Sequence, residues 1–540
     1  MIVEKFLTAF VSETPFSSGS GVAMLTGVLA VLIGVLGFRY LVKKYFGKDA
    51  SRTPIFSEKN LSKPFAGVET DEKIRNAVLK QGFSIEKVPS DLDAIFIGSG
   101  IGSLSAACFL AKAGKKVLVL EQHDRAGGCC HTFTEKGFEF DTGIHYVGNE
   151  GPGQPDRILM DQLTGGRLHW DKLDDVYDVV KLGTGKDQKT FEIKSGSRQI
   201  WENALIEKFP DEADAIRKFT AAYKPIHTSF FYVGMVKFLP YWLMKVVISL
   251  GIIDWVTDYN KWNNICVRDF INGLTTNKDL RLVLQYLFGD YGTLPDKASI
   301  PILSLIHGHY WKNGAFYPRG GASEIPFHVI QEIQKADGAV LVRAKVQSIL
   351  LDAAEKKAIG VRVEKGSKTY DIHAPKIISG AGFRNTFEKL LPKPVSMRLN
   401  RVQEVKTKVT PSASAFQAFF GFNGSQEELK LPKHNTWFYS TNEDPAITMK
   451  SYLNMTREEA LSADPPFVFI AFPSTKDSTY VERHPNKICC TVVSVSNYDW
   501  FQEWSSSQAT KRGDEYESVK NTMGQRLLDM VLDLFPQLQV

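Results

Sequence analysis

Three glycines lie in the stretch "AIFIGSGIG", at Gly98, Gly100 and Gly102, and a carboxylate, Glu121, closes "KVLVLE" 23 residues after Gly98. A glycine turn brings backbone N–H groups close to a pyrophosphate, and an acid at that distance can accept hydrogen bonds from ribose hydroxyls. The chemistry these residues suit is the binding of a dinucleotide. Strict spacing would place the third glycine at position 103, which is Ser103, so Gly102 stands one place early. Six residues past Glu121 comes a second glycine loop, Gly127-Gly128, followed by "FEFDTG" over 138–143. A nicotinamide dehydrogenase has no use for that second loop, whereas a cofactor whose ring system continues past its pyrophosphate does. A third loop, "YPRGG", supplies Gly320 and Gly321. Groups that could hold or move a proton cluster beside these loops: His131, His145, Tyr146, His307, His309, Tyr310 and Tyr317. Of these, His145 is the expected general acid, since imidazole titrates near neutral pH.

The elements that must position these residues follow from pattern. "AIFI" reads as a buried parallel strand, a helix is expected from 102 to 113 with Leu104, Ala107, Cys108 and Ala111 on its small face, and "VLVL" is the next strand. This βαβ order makes the glycine turn far more specific than the motif alone. The expected fold is α/β: a Rossmann-like nucleotide domain with an interleaved α+β substrate domain. The expected division is 91–165 and 300–385 for the former, 166–299 and 386–500 for the latter, and a tether over 51–90.

With 540 residues the chain is long enough for more than one core. The 65 basic and 60 acidic residues give a net charge of only +5 with no basic stripe, so nucleic acid is not an expected partner. Six cysteines show no CxxC ladder, which excludes a zinc framework and a secreted disulfide scaffold. No charged residue occurs from Pro15 to Phe38, and a basic flank follows; residues 1–50 are therefore expected to be a retained membrane anchor, with a cleaved signal peptide as the alternative. A second oily stretch, Phe230 to Val256, is broken by Pro240 and carries Lys237 and Lys245. It reads either as a helix–break–helix lying in a membrane interface or as buried helical core.

The glutamate, the glycine pair, the "FEFDTG" segment and the region from "GAFYPRGGASEI" to Asp352 resemble the flavoprotein family of amine oxidases, phytoene desaturases and carotenoid isomerases, in its carotenoid and retinoid branch. That resemblance implies FAD as cofactor, a YPRGG loop approaching the flavin, and a strand at Val346 giving backbone contacts to adenine. It further implies saturation of the 13-14 double bond of all-trans-retinol or a similar polyene, NAD(P)H as electron source, and a place at the endoplasmic reticulum membrane. Isomerisation or desaturation of a polyene, or retinoid binding without catalysis, are the alternatives. Cys129 and Cys130 stand where amine oxidases carry an arginine, which argues against amine oxidation. The last residues, 501–540, read as one amphipathic helix with Val519, Met523, Leu527, Met530 and Leu534 at helical spacing. The family's closing flavin segment is not found there, so a shortened form with weakened FAD binding is expected.

Overall fold

The computed structural model describes residues 55–539 except 411, 413, 509 and 510; the expected anchor over 1–50 lies outside them. At its centre is a four-stranded parallel sheet of β1 (Ala94–Ile97), β2 (Val117–Leu120), β3 (Ala339–Leu341) and β4 (Ile377–Ser379), in the order β3-β2-β1-β4. β1 and β2 are buried along their whole length, which is why they read as unbroken apolar runs. Helix α1 (Ile101–Lys112) makes the crossover from β1 to β2 and buries Leu104, Ala107, Cys108 and Ala111, the face the sequence predicts. Helix α2 (Glu324–Lys335) packs beside it and leads into β3. An antiparallel meander, 345–351, 358–365 and 368–373, joins β3 to β4.

The second body is a six-stranded sheet in the order 414–423, 487–496, 467–471, 435–439, 176–182, 189–194. Its pairings are antiparallel except that 435–439 runs parallel to 176–182. The strands expected from "SASAFQAFFGFNG" and "KICCTVVSVS" are neighbours, registered from Ser414 opposite Ser496 to Asn423 opposite Lys487. One face of this sheet carries an aromatic core, including Tyr146, Trp201, Phe219, Tyr223, Tyr310 and Trp437. Its other face is covered by the helix Asp514–Leu534, through Leu527, Met530 and Val531.

Two boundaries differ from expectation. The helix Ile300–Trp311 belongs to the aromatic core rather than to the nucleotide domain, because Ile300, Leu303, Tyr310 and Trp311 find their apolar partners there. The segment expected as a tether is docked: Ser62 Oγ donates to Asp161 at 2.9 Å, the Phe83 amide bonds the Val342 carbonyl at 2.9 Å, and Arg75 pairs with Glu324. No described helix is long and apolar enough to cross a membrane.

Candidate active site

The nucleotide site begins with the glycine turn. Gly98 has φ +90°, a conformation L side chains avoid, and its amide donates to the Leu120 carbonyl at 2.8 Å. Gly100 is the N-cap of α1 and offers no side chain to the first-turn amides. A β-carbon added at Gly100 or Gly102 would meet no atom within 4 Å. The N-terminus of α1 therefore faces open space with unsatisfied donors, the arrangement that suits a phosphate anion.

Ser99, buried between these glycines, ties the site together. Its amide and hydroxyl both donate to Glu121 Oε2, at 2.9 and 2.7 Å, and its Oγ accepts from the Gly127 amide at 3.1 Å. The other Glu121 oxygen accepts from the His123 amide at 3.0 Å and lies 2.7 Å from His123 Nδ1. Burial pushes the Glu121 carboxyl up, but the His123 and Ser99 hydrogen bonds outweigh it and hold the group below the usual carboxylate range. It is ionised, an acceptor at both oxygens. The next residues of the chain around it bond across to the start of the meander, the Ala344 amide to the Glu121 carbonyl at 2.7 Å and the Arg343 amide to the His123 carbonyl at 2.7 Å. Val346 follows two residues later, buried, opposite Val363.

The Gly127-Gly128 loop is pressed onto the same turn. Gly127 bridges Gly100, and a β-carbon on Gly128 would stand 2.9 Å from the Gly100 Cα. A β-carbon on Gly127 would stand 2.9 Å from Pro326 Cγ in the first turn of α2. That helix is entered from the YPRGG loop, where Gly320 and Gly321 have φ +96° and +89°. Asp141 holds the loop from the other side: its Oδ1 accepts from the Ala322 amide at 3.2 Å, and its other oxygen accepts from the Tyr317 hydroxyl. Three glycine loops distant in sequence are thus one constellation.

Beyond Asp141 the chain turns at Gly143 and passes through His145 and Tyr146 toward the aromatic core on the six-stranded sheet. Here a chain of buried polar groups crosses the domain junction. Lys476 Nζ donates to the His145 carbonyl at 2.8 Å and to Asn435 Oδ1. Asn435 Nδ2 donates to Asp178 Oδ1 at 3.0 Å, and Asp178 Oδ2 accepts from Tyr146 at 3.1 Å and Tyr286 at 2.9 Å. Burial drives the Lys476 ammonium down to about 7, against the pull of Asp178 and Asp141, and drives Asp178 up to about 7 against its donors. The adjacent Asp477 accepts from the Gly320 amide at 3.1 Å and pairs with Arg483 at 2.6 Å. Residues 476 and 477 therefore clamp the His145 segment and the YPRGG loop to the six-stranded sheet.

Residues 97–160 match the model of an NAD(P)-binding Rossmann-like domain. The all-trans-retinol 13,14-reductase of Danio rerio is 41% identical over 516 residues, covering 96% of this chain and 83% of that protein. This chain belongs to the all-trans-retinol 13,14-reductase family. A second Danio rerio protein, named inactive all-trans-retinol 13,14-reductase, is 35% identical over 476 residues, 88% of this chain and 78% of its own length. At the level of fold, an oxidoreductase from Methanosarcina mazei superposes with a TM-score of 0.50 at 17% identity, covering 82% of this chain and 85% of that one.

In this family member, Gly98, Gly100, Gly102, Glu121, Gly127 and Gly128 converge on the N-terminus of α1, and Gly320 and Gly321 adjoin them through α2. The histidines mostly fall elsewhere. His307 sits in the aromatic core, its Nδ1 3.0 Å from the Tyr223 hydroxyl; His309 Nε2 accepts from the Gly148 amide at 2.9 Å; His131 Nδ1 lies 2.6 Å from the Gly128 carbonyl. His145 does reach the junction, its ring 5.0 Å from that of Phe469 and its Nδ1 buried without a partner. Burial and the nearby Lys476 hold its pKa at about 3, so the reason for expecting an acid there, titration near neutrality, does not apply. Ser99, Asp178, Asn435, Lys476 and Asp477 escape sequence reasoning. Ser99 lies in plain view as the "x" of the glycine motif, and "STKD" stands out only as a buried-looking run of polar residues after an apolar strand.

Proposed function

We propose that this chain binds FAD and saturates the 13-14 double bond of all-trans-retinol or of a similar polyene, with NAD(P)H as the source of electrons. The observation that carries this reading is the 41% identity to a reductase of that name over 96% of the chain. The residues present fit the cofactor. Open space over Gly100 and Gly102 admits a pyrophosphate, the ionised Glu121 suits the ribose, and the Gly127-Gly128 and YPRGG loops extend the cradle beyond what NAD needs. Flavin, when bound, supplies the hydride equivalent; the rest of the work is orientation, exclusion of water and a proton. The groups suited to the proton are Lys476, Asp178 and Tyr146, hydrogen-bonded through Asn435 in a dry interior, two of them held near neutrality. Saturation of one double bond adds two hydrogens, and reprotonation of the Lys476 chain from solvent restores the site.

The test is product analysis after incubation of the flavin-loaded chain with all-trans-retinol and a reductant. A product carrying two more hydrogens and absorbing at shorter wavelength supports the reading. A product of unchanged mass points to isomerisation, and one that has lost hydrogens to desaturation. The inactive relative favours a second reading, a retinoid binder without catalysis, for which retinol is bound and recovered unchanged.

A further inference from the structure

The helices Tyr241–Ser249 and Ile252–Val256 bury none of their residues, although their composition is that of a core. Phe238, Trp242, Val246, Ile248, Leu250 and Trp255 are all exposed, with Leu250 at 70% and Trp255 at 87%. An apolar patch of this size on a folded body marks a surface that is covered by something else. The charges around it say what kind of surface. Lys237 and Lys245 form no ion pair among the described residues, and the Lys245 ammonium lies 4.7 Å from the centre of the Tyr241 ring. Arg401, in the helix Asn400–Lys408, stands near enough to the Tyr241 hydroxyl to join Lys245 in holding its pKa below the usual phenol value. Over residues 388–408 the chain carries six basic and two acidic residues. Both acids are already paired, Glu388 with Lys406 and Glu404 with Lys408. Immediately before the helix Asn400–Lys408 come Met397, 63% exposed, and Leu399, also exposed.

We propose that this face, Phe238–Val256 with the neighbouring basic helices of residues 393–408, docks on an anionic phospholipid bilayer and lies in its interface without crossing it. Exposed Trp and Tyr side chains suit the headgroup level, lysine stems lie along apolar surface while their ammonium groups reach outward, and the basic rim faces anionic headgroups. A second copy of the chain fits less well. A two-fold contact would bring two such basic rims into one interface, like charge near like. The preceding helix, Tyr223–Val236, buries Tyr223 and Ile226 in the aromatic core, so the docked face is continuous with the interior of the substrate body. A polyene dissolved in the bilayer would have a short way to travel, but the docking itself does not depend on the reaction proposed above.

The experiment is local, because the uncharged segment Pro15 to Phe38 could tether the chain by itself. A fluorophore is placed on Leu250→Cys, and in a control on Asp533→Cys, exposed on the helix that covers the other face of the six-stranded sheet, in the full chain with Cys129→Ser. Vesicles of phosphatidylcholine and phosphatidylserine carry brominated acyl chains as quenchers. Quenching at position 250 but not at 533, weakened severalfold by Arg398→Gln with Arg401→Gln or by high salt, is the expected result. Flotation of the chain with vesicles while position 250 stays unquenched would overturn the proposal. So would protection of that position without vesicles, whether by dimerisation that Trp255→Ser abolishes or by another part of the chain. No outcome requires turnover, so failure here leaves the reductase reading untouched, and the reverse.

Discussion

Ser99 joins three structural elements through one hydroxyl, and its removal should be felt in stability as well as in binding. With Ser99→Ala the buried Glu121 loses a donor and the Gly127 amide loses its acceptor. A cost of about 1–3 kcal/mol is expected, read by urea unfolding. The sign of the pH dependence follows from Glu121, whose folded pKa lies below its unfolded value. Its contribution is full above about pH 4.3 and is lost as pH falls through the folded value. Unfolding midpoints measured at descending pH should therefore fall less steeply in Ser99→Ala than in the parent chain. At the junction with the six-stranded sheet, Lys476 is the group to titrate. The Asp178 charge supports its ammonium form. In Asp178→Asn that support is gone, so the alkaline limb of the turnover profile, expected near 7 in the parent, should move to lower pH. A limb that stays in place would exclude Lys476 as the titrating group.

At the scale of elements, the glycine loops differ in what they tolerate. Gly127→Ala must fit a β-carbon 2.9 Å from Pro326 at φ +125°, and Gly128→Ala must fit one 2.9 Å from the Gly100 Cα at φ +57°. Each should lower the unfolding midpoint markedly, Gly127→Ala by parting the second glycine loop from α2 and Gly128→Ala by parting it from the first loop; circular dichroism melts check this. Local pattern made α1 and its buried face legible to within a residue, because strand, turn and helix are consecutive in the chain. It also gave the strands around Ser414 and Lys487, where alternation is plain. The junction was not legible. Asn435 and Asp178 are hydrogen-bonded across 257 residues of sequence, and nothing in either neighbourhood specifies the other. The same holds for the parallel pairing of 435–439 with 176–182, which only the closed sheet reveals. His145 shows the limit on chemistry: its position beside the site was readable, but the burial that keeps it neutral was not.

At the scale of the molecule, a nucleotide body and a sheet-based body meet along a seam held by Asp141, Lys476 and Asp477. A cofactor bound at that seam binds the native state alone. FAD at a hundredfold excess over its Kd should then stabilise the chain by about 2.7 kcal/mol, seen as a rise in Tm with cofactor concentration. The segment 57–87 is docked on the nucleotide body rather than loose. Arg75, bonded to Ser323 at 2.8 Å and paired with Glu324, braces the start of α2 on which the Gly127 loop rests. The most direct test of the account is the visible absorbance of the purified chain, reconstituted with FAD and gel-filtered, beside Gly100→Ala. A β-carbon at Gly100 meets no protein atom and costs only the difference between glycine and alanine as an N-cap, so the variant should fold within about 1–2 kcal/mol of the parent yet block the pyrophosphate. The account predicts flavin near stoichiometry in the parent and none in a fully folded Gly100→Ala. A colourless parent, or a variant that keeps its flavin, would contradict it.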